Sequence, residues 1–329
     1  MTSTVPLSEA LALKLLPTHP VAPVLTLDVG NSVLKLAVTH PKAEGQALWT
    51  DILRLPHHQL ETPAEAVNTI QAWCHLHADD LDAPHVGRWI AVAPSQAKRW
   101  LSVLQVALPQ AAFQALIPDI SPAGLFSGVL PNGQPFAIDL SAYSPPTALG
   151  IDRVVNVIAA AGETLPPACN AWVIADFGTA TTVDVLVRQD SAQWQFWGGV
   201  IQPGLETLWG ILGQKTEQLP TLTPYSPAES SLENTVNTGL GGNTHQAMHQ
   251  GLAHMVTGGL ANIHTHLLQQ GLQPAWVFTG GGAQVAQQLL AATNVPTQTH
   301  SIFTFEPPRL DPLWTHRGIA LLAKGLAST

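Results

Sequence analysis

The chain has 329 residues, enough for two domains, and its 46% hydrophobic and 11% charged residues are typical of a folded globular protein and not of a disordered one. Thirteen basic against 22 acidic residues give a net charge of −9, which argues against nucleic acid as the main partner. No apolar run approaches the roughly 20 residues of a membrane span, and the two cysteines form no motif, so we expect a cytoplasmic protein without a membrane partner.

The first strong signal follows an N-terminal extension, residues 1–23, which has no basic leader and is not interpreted as a signal peptide. Residues 24–38 contain two apolar runs around a Gly-Asn turn, which predicts a β-hairpin, here called the first hairpin. Asp28 ends its first strand and Lys35 points out of its second. The turn offers phosphate-binding donors and Asp28 is available to hold Mg²⁺, while a plain hairpin with an Asx-type turn is the alternative.

The next hundred residues predict alternating strands and helices. A capping box at Thr62 and Glu65, with Pro at the first helical position, opens one of the helices. The Pro- and Gly-rich stretch 118–135 is interpreted as a loop-like insertion. In chain order the predictions are a third strand within 46–55, a helix at 63–77, a strand at 89–93, a helix at 95–108, and strands at 113–117 and 136–140.

An acid then lies at the start of a helix that we predict over 153–161, stopped by Gly162. Asp152 falls in its first turn. An acid there suits the helix dipole, which is the structural interpretation. Its position at the expected junction of two domains favours a functional role instead.

A second hairpin, residues 172–187, repeats the pattern of the first. An apolar strand again ends in Asp-x-Gly, at Asp176, and a turn with Thr179 leads into another apolar strand, followed by a candidate third strand at 194–202. Such a duplication predicts two α/β domains of like topology, 24–149 and 150–329, whose glycine turns face each other across a cleft.

The remaining residues predict mainly helices. The glycine segment 198–204 ends a strand and opens a helix that continues to about residue 212. The glycine segment 280–282 likewise ends a strand and opens a helix over 283–292. Either segment suits a phosphate site or a simple turn. Residues 219–237 are irregular, a long helix spans 244–270 with Asn243 or Thr244 as its cap, a strand covers 275–279, and the last helix covers 316–326. His245 and His249 have a ligand-like spacing, but no third ligand completes a metal motif.

Together these segments resemble type III pantothenate kinases. The resemblance rests on motifs that occur in order at 28–35, 150–153, 176–184, 198–204 and 279–281. It implies the actin-like ATPase fold, an α/β architecture of two ribonuclease-H-like domains with the active site in a central cleft. It also implies a homodimer that phosphorylates pantothenate with ATP, Mg²⁺ and a monovalent cation, K⁺ or NH₄⁺.

The resemblance also assigns roles to individual residues. Asp152 matches the general base, and Asp176 the ligand of the monovalent cation. Asp28 would hold Mg²⁺ directly or through water. Residues matching the ATP contacts are Asp28, Val29, Gly30, Asn31, Ser32, Val33, Leu34, Lys35 and Thr179. Residues matching the pantothenate contacts are Tyr143, Gly150, Ile151, Asp152, Arg153 and Thr244, the last reaching pantothenate from the second subunit.

Two other functions share this fold class. One is a different phosphotransferase or a phosphatase, against which the segment from Tyr143 to Arg153 argues. The other is a non-catalytic regulatory homologue, which would be expected to have lost an acid among Asp28, Asp152 and Asp176. All three acids are present.

Overall fold

The computed structural model describes residues 24–41, 47–49, 51–77, 86–130, 132–222, 240–292 and 307–326. The N-terminal extension and most of 219–237 therefore lie outside the described residues. Within the described part, no helix combines the length and apolar character that crossing a membrane requires.

The first half forms a six-stranded sheet with two helices. The first hairpin gives strands β1 and β2, which pair antiparallel, and β5 and β6 continue the sheet in parallel beside β1. The elements are β1 (Val24–Val29), β2 (Val33–Pro41), β3 (Ala47–Trp49), β4 (Leu53–Pro56), α1 (Pro63–Leu76), β5 (Val86–Ala91), α2 (Pro94–Ala107) and β6 (Ala112–Ala115).

The second half forms a seven-stranded sheet in the order β13-β12-β9-β10-β11-β8-β7. Its strands are β7 (Leu125–Val129), β8 (Pro135–Asp139), β9 (Ala171–Phe177), β10 (Ala180–Arg188), β11 (Gln193–Pro203), β12 (Pro274–Thr279) and β13 (Arg309–Leu310). Its helices are α3 (Ile151–Gly162), α4 (Leu205–Lys215), α5 (Thr244–Gln269), α6 (Ala283–Ala292) and α7 (Trp314–Leu326).

Both sheets contain the same five-strand arrangement. In each, an antiparallel meander is followed by two strands that lie parallel to the meander's first strand, on its other side: β5 and β6 beside β1, and β12 and β13 beside β9. This is the ribonuclease-H-like topology used twice, so the predicted fold class, two such domains in an actin-like arrangement, is confirmed.

Three apolar clusters hold the layers together. One packs α1 and α2 on the first sheet, and another packs α4, α5 and α6 on the outer face of the second. The third lies between the sheets and is built around α3 and α7, with Ile90 from the first sheet and Ile174 from the second. The C-terminal helix therefore packs between the two halves, a position that no local pattern in the sequence indicates.

Three local predictions were wrong in detail. The stretch 118–135 is not all loop, because β7 forms there and pairs with β8. The third strand of the first meander is split into β3 and β4. Thr62 is the N-cap of α1, but its side chain makes no capping hydrogen bond, and its backbone carbonyl accepts from Glu65 N instead. The domain division at residue 149 stays a prediction, although β7 and β8 belong to the second sheet by hydrogen bonding.

Candidate active site

A cavity of about 210 Å³ opens between the two hairpins. It contains the carboxylates of Asp28, Asp152 and Asp176, which the sequence places in three separate segments. The other described residues of its wall are Gly30, Asn31, Ser32, Val33, Lys35, Arg54, Val92, Phe177, Gly178, Thr179, Ala180, Thr182, Leu205, Glu206, Thr207, Gly281 and Gly282.

The two glycine turns meet at the mouth of this cavity. The hydroxyl groups of Ser32 and Thr179 lie 2.9 Å apart and share a hydrogen bond, although 147 residues separate them in the chain. Each turn is closed by its own backbone, with Gly30 N donating to Val33 O and Gly178 N donating to Ala180 O. The predicted juxtaposition of the two turns across a cleft is confirmed.

In the first hairpin the acid is paired with a lysine side chain. Register places Asp28 directly opposite Lys35, and Lys35 Nζ donates to Asp28 Oδ2 at 2.9 Å. Burial opposes the charge on Lys35, but the carboxylates of Asp28 and Asp176 outweigh it and raise the pKa of this ammonium group. On the next strand Arg54 lies opposite Lys35 and also lines the cavity. The sequence did not indicate Arg54 as a site residue, because no motif contains it and only the pairing of β4 with β2 places it beside Lys35.

In the second hairpin the acid has no such partner. The residue opposite Asp176 is Thr182, and the Asp176 carboxylate accepts a hydrogen bond at Oδ2 from Asn156 Nδ2, at 3.2 Å. Burial, assisted by the charge on Asp28, raises the pKa of Asp176 even though Lys35 and Asn156 favour the ionised form. The negative charge of Asp176 is thus less well compensated than that of Asp28.

The other oxygen of Asp176 faces glycines. A Cβ on Gly280 would approach Asp176 Oδ1 to 2.5 Å, and one on Gly178 would approach it to 3.8 Å. Gly280 has a φ of +86°, which favours glycine for a second reason. The two glycines let the backbone come close to a carboxylate oxygen whose charge is only partly compensated, and a carboxylate oxygen on a cavity wall is a ligand that fits a cation.

The third acid begins helix α3. Asp152 Oδ1 accepts from Arg153 N at 2.9 Å, so the structural role as a first-turn acid is real. Its side chain also reaches the cavity. Burial raises the pKa of Asp152 to about 6, against the opposing effect of the Arg153 N–H and with additional help from the neighbouring acids. A carboxylate with a pKa near neutrality is suited to accept a proton from an alcohol.

Arg153 is fixed in place by an internal ion pair with Asp184. Its guanidinium group donates from Nε to Asp184 at 3.0 Å and also makes a short contact from its terminal nitrogen. It packs on the rings of Tyr143 and Phe196, with centroid distances of 5.4 and 5.9 Å. Burial opposes the charge of Arg153, but Asp184 outweighs it and raises the pKa of the guanidinium group. Asp184 therefore orients Arg153, a role that the sequence prediction omitted.

Two helices point their N-termini at the second glycine turn. Gly204 N donates to Thr179 O ahead of α4, and Gly282 N donates to Phe177 O ahead of α6. A Cβ on Gly204 would overlap the carbonyl oxygens of Gly178 and Thr179, which explains the glycine. Free N–H groups at helix starts suit anions. Leu205, Glu206 and Thr207 of α4 were not predicted as site residues, although the glycines before them were noted.

Some predicted residues lie elsewhere. Val29, Leu34, Tyr143, Gly150, Ile151, Arg153 and Thr244 are not among the described residues of the cavity wall. Val29 and Leu34 are buried in the first core, beneath the turn. Thr244 is exposed at the start of α5, where Asn243 is the cap and accepts from Gln246 N at 2.9 Å. His249 Nδ1 accepts from the indole of Trp209, which gives this histidine a structural partner.

Comparison with known proteins adds independent findings. Residues 130–266 match the family model described as type III pantothenate kinase. The chain is 29% identical to the type III pantothenate kinase of Cupriavidus pinatubonensis over 289 residues, which are 85% of this chain and 94% of that protein. It is 31% identical to the type III pantothenate kinase of Bordetella bronchiseptica over 225 residues, 66% of this chain and 76% of that protein.

Solved structures with a similar arrangement are more distant. The ethanolamine utilization protein EutJ from Carboxydothermus hydrogenoformans gives a TM-score of 0.42 at 13% identity, over 92% of this chain and 91% of that one. A glucokinase from an Antarctic psychrotroph gives a TM-score of 0.40 at 10% identity, over 94% of this chain and 98% of that one.

Proposed function

The chain belongs to the type III pantothenate kinase family, and on that premise we propose that it transfers the γ-phosphoryl group of ATP to the primary hydroxyl of pantothenate. The product is 4′-phosphopantothenate, at the first step of coenzyme A biosynthesis. One observation carries the proposal: the carboxylates of Asp28, Asp152 and Asp176 line a single cavity between two glycine turns. Because the reaction consumes ATP, we expect the protein in the cytoplasm.

ATP is proposed to bind with its phosphates between the two turns. The wall there offers backbone N–H groups, the hydroxyls of Ser32 and Thr179, and the starts of α4 and α6. Lys35 and Arg54 are the basic side chains among the described wall residues, against four acids. Phosphoryl transfer depends mainly on positioning and charge stabilisation, so these donors and cations are the machinery that the reaction needs.

The metal ions are proposed to neutralise phosphate charge and, at Asp176, the carboxylate. Asp28 Oδ2 is already engaged by Lys35, and the residue is only 4% exposed, so contact with Mg²⁺ through water fits it well. Asp176, which has the uncharged Thr182 opposite it and lies on the cavity wall, is the residue that would hold K⁺ or NH₄⁺.

Asp152 is proposed as the general base. Its pKa of about 6 leaves it largely ionised at neutral pH yet basic enough to take the proton of the pantothenate hydroxyl as that oxygen attacks. Tyr143 and the segment from Gly150 to Arg153 would orient pantothenate beside it. Arg153 is already fixed by Asp184, so little side-chain freedom remains to be lost when pantothenate binds.

We further propose a homodimer in which Thr244 of one subunit contacts pantothenate in the other. Apolar side chains are exposed on β11 and α5, among them Ile201 at 64% and Met255 at 62%. Large exposed apolar patches commonly mark interfaces. Thr244 begins the same helix α5 and lies outside the wall of its own cavity, as a residue serving a neighbouring subunit would.

The direct test is an assay of the purified protein with ATP, Mg²⁺ and pantothenate in KCl or NaCl, with mass-spectrometric detection of 4′-phosphopantothenate. We expect product with pantothenate and a clear excess in KCl. ATP consumption without this product would point to another phosphotransferase or a phosphatase, and no consumption would point to a non-catalytic homologue. Light scattering of the same sample tests the dimer.

A further inference from the structure

The starting observation is a buried asparagine that joins three elements. Asn156 on α3 is 1% exposed, and its side-chain nitrogen, its side-chain oxygen and its backbone carbonyl each have a hydrogen-bond partner. Its Nδ2 donates to Asp176 Oδ2 at 3.2 Å, and its Oδ1 accepts from Thr315 Oγ1 at 2.9 Å. Its backbone carbonyl accepts from Trp314 Nε1 at 3.0 Å. The first turn of α7 therefore reaches Asp176 through one side chain.

The chemistry of these partners fixes the direction of the amide. An ionised carboxylate can only accept, so the amide nitrogen of Asn156 must face Asp176, and the amide oxygen then accepts from the Thr315 hydroxyl. The reverse orientation would place two oxygens against each other in a buried site and leave acceptors unsatisfied. Thr315 thus anchors the amide oxygen of Asn156 while the amide nitrogen holds Asp176, although Thr315 does not touch Asp176 itself.

We propose that Thr315 and Asn156 are positioning residues that hold Asp176 Oδ2 and so leave Oδ1 oriented to bind the cation. The proposal rests on the function proposed above, because it concerns the cation that Asp176 would hold. It adds that the affinity of this site for K⁺ is set by the C-terminal helix, more than 130 residues away in sequence.

The placement of neighbouring residues favours a positioning role over the alternative that Thr315 merely satisfies the hydrogen-bonding capacity of a buried asparagine. Asn156 lies four residues after Asp152, one helical turn along the same face of α3. On α7, His316 follows Thr315 and contacts Thr26 Oγ1 at 2.8 Å. Thr26 lies two residues before Asp28 and on the same face of β1. Consecutive residues of α7 are therefore connected to both hairpin acids, His316 through Thr26 on β1 and Thr315 through Asn156 to Asp176.

The experiment removes the hydroxyl group and measures the cation site in two ways. Thermal unfolding is followed as KCl replaces NaCl at constant ionic strength, which needs no turnover, and the rate of pantothenate phosphorylation is followed over the same titration. In Thr315→Val we expect the K⁺ concentration at half effect to rise about fivefold to tenfold in both titrations, the amount that loss of one buried hydrogen bond allows. Thr315→Ala should give the same shift if the valine variant folds poorly.

Two controls separate positioning from packing. Thr315→Ser retains the hydroxyl group and should keep the half-effect concentration within about twofold of the original value. Thr257→Val removes a hydroxyl that is similarly buried and donates to Ala253 O within α5, and it should leave the K⁺ titration unchanged.

The inference is overturned if Thr315→Val and Thr315→Ala lower the unfolding temperature but keep the original K⁺ titration. It is also overturned if K⁺ stabilises the unmodified protein no better than Na⁺. Failure of the proposed function has a different signature, namely K⁺-specific stabilisation that shifts in the variants while no 4′-phosphopantothenate forms.

Discussion

Both hairpins carry an acid at the end of the first strand, but they differ in what lies opposite that acid. In the first, Asp28 faces Lys35, and a buried ion pair results. In the second, Asp176 faces Thr182 and accepts an amide hydrogen bond from Asn156. One half of a duplicated fold thus pairs its acid with a lysine, while the other places an uncharged residue opposite its acid.

This difference gives a physical reason for the cation requirement that we propose. A carboxylate held partly out of water needs a compensating charge, either from a side chain or from a bound ion. The first hairpin uses a side chain. We infer that the second uses an ion, and four substitutions test or refine this asymmetry.

The largest effect on activity is expected from substitution of Asp152, the third acid of the cavity. Asp152→Asn keeps the Oδ1 acceptor for Arg153 N but removes the base, so kcat should fall by about 10²–10⁴-fold with the fold intact. In the original protein kcat/KM should decline below about pH 6 as Asp152 takes up a proton, and this decline reports the same group. Steady-state kinetics from pH 5 to 8 measure both.

The matched control for this change is Asp190→Asn. Asp190 is exposed and its Oδ1 accepts from Ala192 N and Gln193 N, so asparagine again preserves the acceptor. Its kinetics should be those of the original chain. Turnover by Asp152→Asn at a near-normal rate would remove Asp152 as the base.

The second effect concerns the ion pair of the first hairpin. Lys35→Gln leaves the Asp28 carboxylate buried without its cation, which should lower the free energy of unfolding by about 3 kcal/mol. Urea denaturation followed by circular dichroism measures the loss. Adding Asp28→Asn to Lys35→Gln should restore at least half of it, whereas Lys98→Gln on the exposed face of α2 should change little. Equal stability of Lys35→Gln and the original protein would show that the pair is not coupled to folding.

The third effect concerns the histidine that supports the first hairpin. Thr26 gives its hydroxyl proton to Ala37 O, so His316 Nδ1 must donate to Thr26. Burial lowers the pKa of His316 to about 3, from an ordinary value of 6.5, so the imidazole stays neutral in the folded protein. Below about pH 6.5 the unfolded chain binds a proton that the folded one excludes. Stability that is complete above pH 6.5 is therefore lost progressively toward pH 3.

The measurement compares His316→Asn with the original protein. Asparagine can still donate to Thr26 but does not titrate. The free energy of unfolding of His316→Asn should therefore fall by about 2 kcal/mol less between pH 8 and pH 5 than that of the original protein. The site acids, whose raised pKa values act in the opposite direction, are common to both proteins and cancel. Parallel pH profiles for the two proteins would contradict the assignment of a neutral buried histidine.

The smallest effect bears most directly on the asymmetry. Thr182→Lys places a cation opposite Asp176, as Lys35 lies opposite Asp28. The ratio of rates in KCl and NaCl should then fall from about tenfold or more to about one, because the ammonium group replaces the ion. Thr182→Val, which adds no charge, should keep the K⁺ requirement. A Thr182→Lys enzyme that still needs K⁺ would place the ion elsewhere.

Much of this molecule could be predicted from its sequence. Turn chemistry at Gly30 and Gly178, with apolar runs on either side, predicted both hairpins, and 3.6-residue periodicity predicted the helices to within a few residues. The repetition of Asp-x-Gly predicted the duplicated fold, and the ordered motifs predicted the family; both are confirmed. These are local properties, so they can be read from neighbouring residues.

The tertiary structure decided which distant residues meet. Strand pairing placed Arg54 beside Lys35, and the packing of α3 on the second sheet gave Arg153 its partner Asp184. The insertion of α7 between the sheets brought Thr315 to Asn156, across 159 positions of sequence. The sequence alone determined the elements and the three acids, because periodicity and turn chemistry are local. Only the fold determined how each acid is compensated, because that depends on partners chosen by long-range packing.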